Sequence, residues 1–347
     1  MTRVGNVEEA PVVTDDRVSG GRERVGVVGP LGFDSFAENI VECLPDIGVQ
    51  PISLGPAVPT PNGWAGRPVL ALRSALDRID VAYQRQIVER AEREGVSAVI
   101  AISALLPQTV RSLRRLGIRV CLWFPDCVAN LGRQQFLLGD YDALFFKDPL
   151  LTTRLVDVLG LPAHYLPEAC NPARHRPPGS VEEKPYVVFA GNMYPSRARL
   201  ITELIRYGVE VQIYGPPIPR WLRDERLVRR HTGRYVAGVE KAKVFREALA
   251  VVNALHPAEM TSVNCRLFEA AACGAVVLCE RRPPLESLYE EDREVLGFTT
   301  FEELIGRIKW CTGDRPAARS IGDAATVRSH RDHTYQARLT QLLEILW

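Results

Sequence analysis

At 347 residues the chain is long enough for two domains, each with its own core. Its composition, 46% hydrophobic and 24% charged, is that of a soluble globular protein, and a net charge of +1 excludes a broad basic surface for nucleic acid. No run of about 18 apolar residues exists and the N-terminus lacks a signal-peptide apolar region, so the expected location is cytoplasmic, with at most peripheral membrane contact.

Residues 1–23 are polar, without period, and read as a mobile tail. From Arg24 short apolar runs alternate with helical stretches. The first run, Val25–Val28, leads into the loop Gly29–Ser35 and then a helix. Ser35 and Glu38 form a capping box there, and Phe36, Ile40, Val41 and Leu44 give a buried stripe. A long helix is expected over Val69–Glu94, ending at Gly95. Arg111, Arg114, Arg115 and Arg119 read as a solvated basic face on a helix end. The runs Ala98–Ile102, Val120–Phe124 and Ala143–Phe146 are apolar on both faces, the signature of a parallel sheet covered on both sides. Residues 167–185 turn Pro-rich and charged, which suits an interdomain linker. A second alternation follows, with strands at Tyr186–Ala190, Val209–Tyr214, Val251–Leu255, Ala275–Cys279 and Glu294–Phe298, and a helix over Ser196–Tyr207. The expected plan is α/β: an N-terminal Rossmann-like domain over 24–168, a linker over 169–185, a second Rossmann-like domain over 186–329, and a C-terminal helix over 330–347 packing back toward the first domain.

None of the eight cysteines, Cys43, Cys121, Cys127, Cys170, Cys265, Cys273, Cys279 and Cys311, forms a C-x-x-C pair. They read as buried thiols in a reducing compartment. No histidine pair has metal-ligand spacing, and no metal or other cofactor is expected.

Ligands of open parallel sheets bind beyond the carboxyl ends of the strands. Four such places stand out. In residues 256–280 a polar loop leads to a helix from Asn264 to Cys273, closed by Gly274. Thr261, Ser262 and Asn264 can cap its start, where free N–H groups favour a phosphate. Glu269, among Phe268 and three alanines, is either an exposed helix residue or a carboxylate that accepts ribose hydroxyls. After Ala190, Gly191-Asn192 opens a loop, and Arg197 and Arg199 begin the next helix. There a glycine admits a ligand and a guanidinium can bind a diphosphate. The loop of Gly29, Gly32 and Asp34 follows the first strand end, although G-x-x-G alone is a weak phosphate signal. In Trp123–Cys127, Asp126 follows a strand end directly, either as a base for an acceptor hydroxyl or as a turn aspartate. Among the histidines His256, just past a strand end, is the candidate for function. Lys241 and Lys243, in VEKAKVF, are either a further positive charge for the diphosphate or, more simply, solvated.

Four segments, FAGNMYPSRARLI (189–201), NCRLFEAAACGAVVLCE (264–280), YLPEACNP (165–172) and HTYQARL (333–339), resemble the group 1 glycosyltransferases of GT-B fold, in particular their CgeB-like, spore-maturation-type branch. The resemblance covers most of residues 165–347 and implies two Rossmann-like domains facing a cleft, and a metal-independent enzyme of hexosyltransferase type. It implies transfer with retention from a nucleoside diphosphate sugar, UDP-linked foremost, to a small-molecule or glycan acceptor. The helix glutamate of the family binds the ribose, a role that falls to Glu269. The basic pair that holds the diphosphate is represented by Arg197, with Asn192 where the first basic residue is common. Gly191, Thr261, Ser262, Asn264 and Arg266 complete the expected donor site. Many retaining members carry a second glutamate eight residues before the first. That position is Thr261 in this chain, and the nearest acid is Glu259, which joins Asp126 and His256 as a catalytic candidate. Two other readings share these features: a non-hydrolysing UDP-sugar 2-epimerase, and a non-catalytic nucleotide-sugar-binding protein.

Overall fold

The computed structural model describes residues 22–32, 34–58, 77–127, 130 and 134–347. Residues 1–21 of the expected tail, and 69–76 of the expected long helix, lie outside them.

Two parallel sheets form the frame. The first has strands β1 (Arg24–Val28), β2 (Gln50–Gly55), β3 (Ala98–Ala101), β4 (Arg119–Phe124), β5 (Ala143–Phe146) and β6 (Ala163–Tyr165), in the order β2-β1-β3-β4-β5-β6. The second has β7 (Val187–Ala190), β8 (Val211–Tyr214), β9 (Ala250–Asn253), β10 (Val277–Glu280) and β11 (Leu296–Phe298), in the order β11-β10-β9-β7-β8. Alternation sends successive residues to opposite faces, and each face finds a core. Along β3, Val99 and Ala101 join one cluster, Ala98 and Ile100 the other. In β7, Val188 and Ala190 separate from Val187 and Phe189 in the same way.

Helices α1 (Phe36–Cys43), α2 (Asp77–Arg93), α3 (Pro107–Arg115) and α4 (Pro149–Leu159) accompany the first sheet. Ser35 caps α1 by accepting from the Glu38 N–H at 3.3 Å. With the second sheet come α5 (Pro195–Arg206), α6 (Glu225–Arg230), α7 (Gly238–Glu247), α8 (Cys265–Ala272), α9 (Leu285–Leu288), α10 (Phe301–Gly313) and α11 (Arg315–Asp332), and the last helix, α12 (Tyr335–Leu346), returns to the first half. Among the described residues no helix is long and apolar enough to cross a membrane.

The chain passes between the two halves twice, and the passages are bonded to each other. The Cys170 N–H donates to His333 O at 2.9 Å, and the Tyr335 N–H donates to Cys170 O at 3.0 Å. Tyr335, Leu339, Leu342 and Leu346 of α12 then enter the core formed by Val25, Ile40 and Trp123 of the first half. The charged, Pro-rich residues 167–185 are expected to be an interdomain linker. Within them Glu168, Ala169, Cys170, Asn171 and His175 are buried, because this segment runs between the sheets.

Candidate functional site

In the first sheet the strand order reverses at β1, and in the second at β7. At such switch points adjacent loops diverge and leave a crevice. The two crevices face one another across a cleft of about 420 Å³, within the range of small-molecule sites. The first half lines it with Asp34, Phe36, Asp126, Asn130 and Lys147, and the second with Gly191, Asn192, Arg197, His256, Glu259, Asn264, Arg266 and Glu269. Glu168 and Tyr335, from the two crossing segments, complete the wall. A smaller pocket of about 110 Å³ shares Asp34, Gly191, Arg266 and Glu269 and adds Tyr214, Tyr235, Val236 and Lys241.

One end of the cleft is cationic. Gly191 takes φ = +116°, a conformation suited to glycine. A Cβ built on it would stand 3.4 Å from both Arg197 Nη1 and Arg266 Nη2, so two guanidinium groups flank this backbone. Arg197 donates to Asn192 O at 2.6 Å and Ala254 O at 3.0 Å, and its guanidinium lies 4.4 Å from the centre of the Tyr194 ring. Arg266 donates to Glu269 Oε2 at 2.6 Å. The Nε–H of each arginine is buried and has no hydrogen-bond partner among the described residues. Burial lowers the pKa of Arg197, Tyr194 opposes that, and neighbouring Arg266 lowers it further. Two guanidinium groups flanking a glycine backbone suit an anion there. Asn264 accepts from the Arg266 N–H at 3.1 Å and caps α8 beside them.

Glu269 is buried, not exposed. Its Oε1 lies 3.1 Å from Lys241 Nζ and its Oε2 faces Arg266. Burial raises its pKa, but Lys241, Arg266 and His175 outweigh that effect and hold it below the usual range. Lys241 is therefore not a solvated lysine: it is 4% exposed and also pairs with Asp34. His175 Nδ1 accepts from the Asn171 N–H at 3.0 Å, which leaves the proton on Nε2, 3.1 Å from Asp34 Oδ2. For Asp34, burial is overcome by the His175 hydrogen bond and the Lys241 charge, and its carboxyl is held far below the ordinary range. Asp34, His175 and Glu269 offer ligand atoms within 4.8 Å of one another, a grouping that could hold a metal ion. The Lys241 ammonium stands between the two carboxylates and supplies the positive charge such an ion would bring.

A second buried cluster crosses the cleft. Lys147, directly after β5, lies 2.6 Å from Glu259 and 3.5 Å from Glu168. Burial pushes the Glu168 carboxyl up to about 7; Lys147 pulls it back, while Glu259 and Glu269 add to the rise. Ser262 donates to Glu259, and Thr261 donates to Asp148 Oδ1 at 2.6 Å.

Several expected site residues sit differently. Neither Thr261 nor Ser262 caps α8 or lines the cleft: both hydroxyls are turned to carboxylates around the interdomain contact. Gly29 is a packing glycine, since its Cβ would fall 2.6 Å from Ala37 and Ile102. Gly32 lies off the cleft wall with open space around it. Asn192 contributes its backbone carbonyl to Arg197. Asp126 lines the cleft, with Oδ1 accepting from the Cys127 N–H at 2.7 Å and Oδ2 from Asn130 at 2.8 Å, a turn geometry. His256 is exposed at the cleft edge, its ring edge-on to Tyr194 at 4.9 Å. Arg199 pairs with Glu203 at 3.2 Å, away from the site. Lys147, Glu168 and His175 escaped the sequence reading, and Lys241 was named there but read first as solvated. A charged residue directly after a strand, the feature that drew attention to Asp126, would have found Lys147.

Residues 197–344 match a protein-family model described as glycosyl transferase-like. No curated protein matches the chain in sequence. Among solved structures it is similar to sucrose-phosphate synthase from Thermosynechococcus elongatus, with TM-score 0.64 and 13% identity over 93% of this chain and 98% of that one. It is also similar to a glycosyltransferase from Rickettsia africae, with TM-score 0.62 and 12% identity over 94% and 98% of the two chains. HepE of Anabaena, solved in complex with UDP and glucose, gives TM-score 0.64 and 12% identity over 93% and 99%. At these identities the likeness concerns the fold, which is the GT-B arrangement of two facing parallel sheets.

Proposed function

We propose that the protein is a glycosyltransferase that moves a sugar from a nucleoside diphosphate sugar, UDP-linked foremost, to a hydroxyl or amine of a small-molecule or glycan acceptor. The observation that carries this reading is the pair of guanidinium groups, Arg197 and Arg266, that flank the Gly191 backbone, with the Glu269 carboxylate beside them. The glycosyl transferase-like match over 197–344 and the nucleotide in the HepE structure support it.

In this reading the diphosphate lies at Gly191 and the ribose hydroxyls donate to lone pairs of Glu269 left free by Lys241 and Arg266. Negative charge grows on the departing diphosphate as the glycosidic bond breaks. The two guanidinium groups, already fixed by backbone carbonyls and Glu269, meet that charge without reorganising. Asp126, His256 and Glu259 line the part of the cleft left for sugar and acceptor. Asp126 or His256 would take the acceptor proton, while Glu259, held by Lys147, would contact the sugar. Closure of the halves excludes water as a competing acceptor. Retention, and the CgeB-like branch, belong to this proposal on the strength of the four matching segments.

Incubation with a panel of nucleotide sugars, followed by mass spectrometry, tests the reading. Release of nucleoside diphosphate together with free or transferred sugar is expected. A 2-epimerised sugar would instead favour the epimerase, and tight binding without turnover a binding protein. Neither binding nor turnover with any donor would remove the nucleotide-sugar reading altogether.

A further inference from the structure

We propose that Asp34 is a positioning residue, one that latches the two halves together through Lys241 and so sets Glu269 for the ribose; the role in ribose binding rests on the function proposed above, whereas the latch does not.

Asp34 belongs to the first half, in the loop after β1. Its backbone is held at φ = +60°, with its N–H donating to Glu38 Oε2 at 2.9 Å and its Oδ1 accepting from Asn39 at 3.0 Å. Asparagine and aspartate tolerate that conformation better than other side chains. From this fixed point Oδ2 reaches across the cleft. It pairs with Lys241 of α7, accepts from the Gly238 N–H at 3.4 Å, and accepts from His175 Nε2 at 3.1 Å. The side chains of Asp34 and Lys241 are 2% and 5% exposed, so the pair exists only while the halves are closed.

The second step is local. Lys241 carries the same ammonium to Glu269 Oε1 at 3.1 Å, while Arg266 holds Oε2. Both oxygens are thereby fixed in direction, and the carboxylate plane is set by one cation anchored across the cleft and one on its own helix. Opening removes Asp34 from Lys241 and leaves the ammonium to Glu269 alone. It would then compete for the lone pairs that a nucleoside would use. Closure and readiness of Glu269 become one event. A carboxamide at position 34 keeps shape and backbone but does not balance the ammonium.

The test uses the full chain. Solution scattering without ligand compares wild type with Asp34→Asn, and calorimetric titration of UDP follows on both. The variant is expected to show a larger radius of gyration. If its closed fraction falls to about a tenth, its Kd for UDP rises about tenfold. Asp34→Asn on a Lys241→Met background should add little, because its target is gone. A variant as compact as wild type overturns the latch. A variant that opens but binds UDP with unchanged affinity overturns the positioning role. Wild type that fails to bind UDP would sink the proposed function and with it the positioning role, with scattering still deciding the latch. Should Asp34→Asn not fold, hydrogen exchange on the wild type decides instead. UDP should protect the Gly238 amide and the Asp34 loop together, and protection of one without the other refutes the coupling.

Discussion

Replacing Glu269 by glutamine keeps the shape of the side chain and removes its charge. In the proposed donor complex two ribose hydroxyls donate to this carboxylate, and hydrogen bonds to a charged acceptor contribute about 1.5–3 kcal/mol each. The carboxamide retains one acceptor oxygen, so about one such bond is lost. A loss of about 2 kcal/mol corresponds to a roughly 30-fold weaker Kd. The substitution also removes the partner 3.1 Å from Lys241 and 2.6 Å from Arg266, both at buried positions. Breaking a buried pair from one side costs about 3–5 kcal/mol of stability, although Asp34 still balances Lys241. Titrations therefore belong at a temperature where circular dichroism shows the variant folded. Under that condition UDP and uridine should both weaken about 30-fold, by the bond energy above, and pyrophosphate much less. Wild-type affinity for uridine in the folded variant would refute the ribose assignment.

Arg197→Ala should lower turnover of the donor sugar by more than it lowers uridine binding, since its guanidinium lies beside Gly191, where the proposal puts the diphosphate; equal losses would take Arg197 off the diphosphate. Glu168 gives a pH signature. Its carboxyl is pushed up to about 7 in the fold against 4.5 for an ordinary glutamate. The unfolded chain therefore ionises first, and the stabilising contribution of the neutral form, complete below about pH 4.5, is lost as pH rises to about 7. Urea unfolding across that window should show wild type losing stability relative to Glu168→Gln; parallel curves would show that Glu168 titrates normally.

The sequence made the strands legible where both faces are buried. Each face of β3, β5, β7 and β9 meets a core, so their apolar runs are uninterrupted. Strand β2 is not legible because it is an edge strand of sequence QPISLG, half exposed and with a proline as its second residue. The cationic end of the cleft was readable as a cluster because Gly191, Arg197, Arg266 and Glu269 lie in short segments around two strand ends. The ion clusters were not. Lys241 acquires its meaning from Asp34, which lies 207 residues earlier in the chain, and from Glu269 on another helix. A lysine in VEKAKVF looks solvated until the tertiary fold buries it. His175 and Glu168 were hidden by a segment whose prolines and charges resemble those of a solvated linker.

A crystal structure of the protein with UDP tests the central claim most directly. The ribose hydroxyls should lie within hydrogen-bond distance of Glu269, and the diphosphate should lie at Gly191 against the guanidinium groups of Arg197 and Arg266. Nucleotide bound elsewhere, or a cleft that stays empty at saturating UDP, would contradict it.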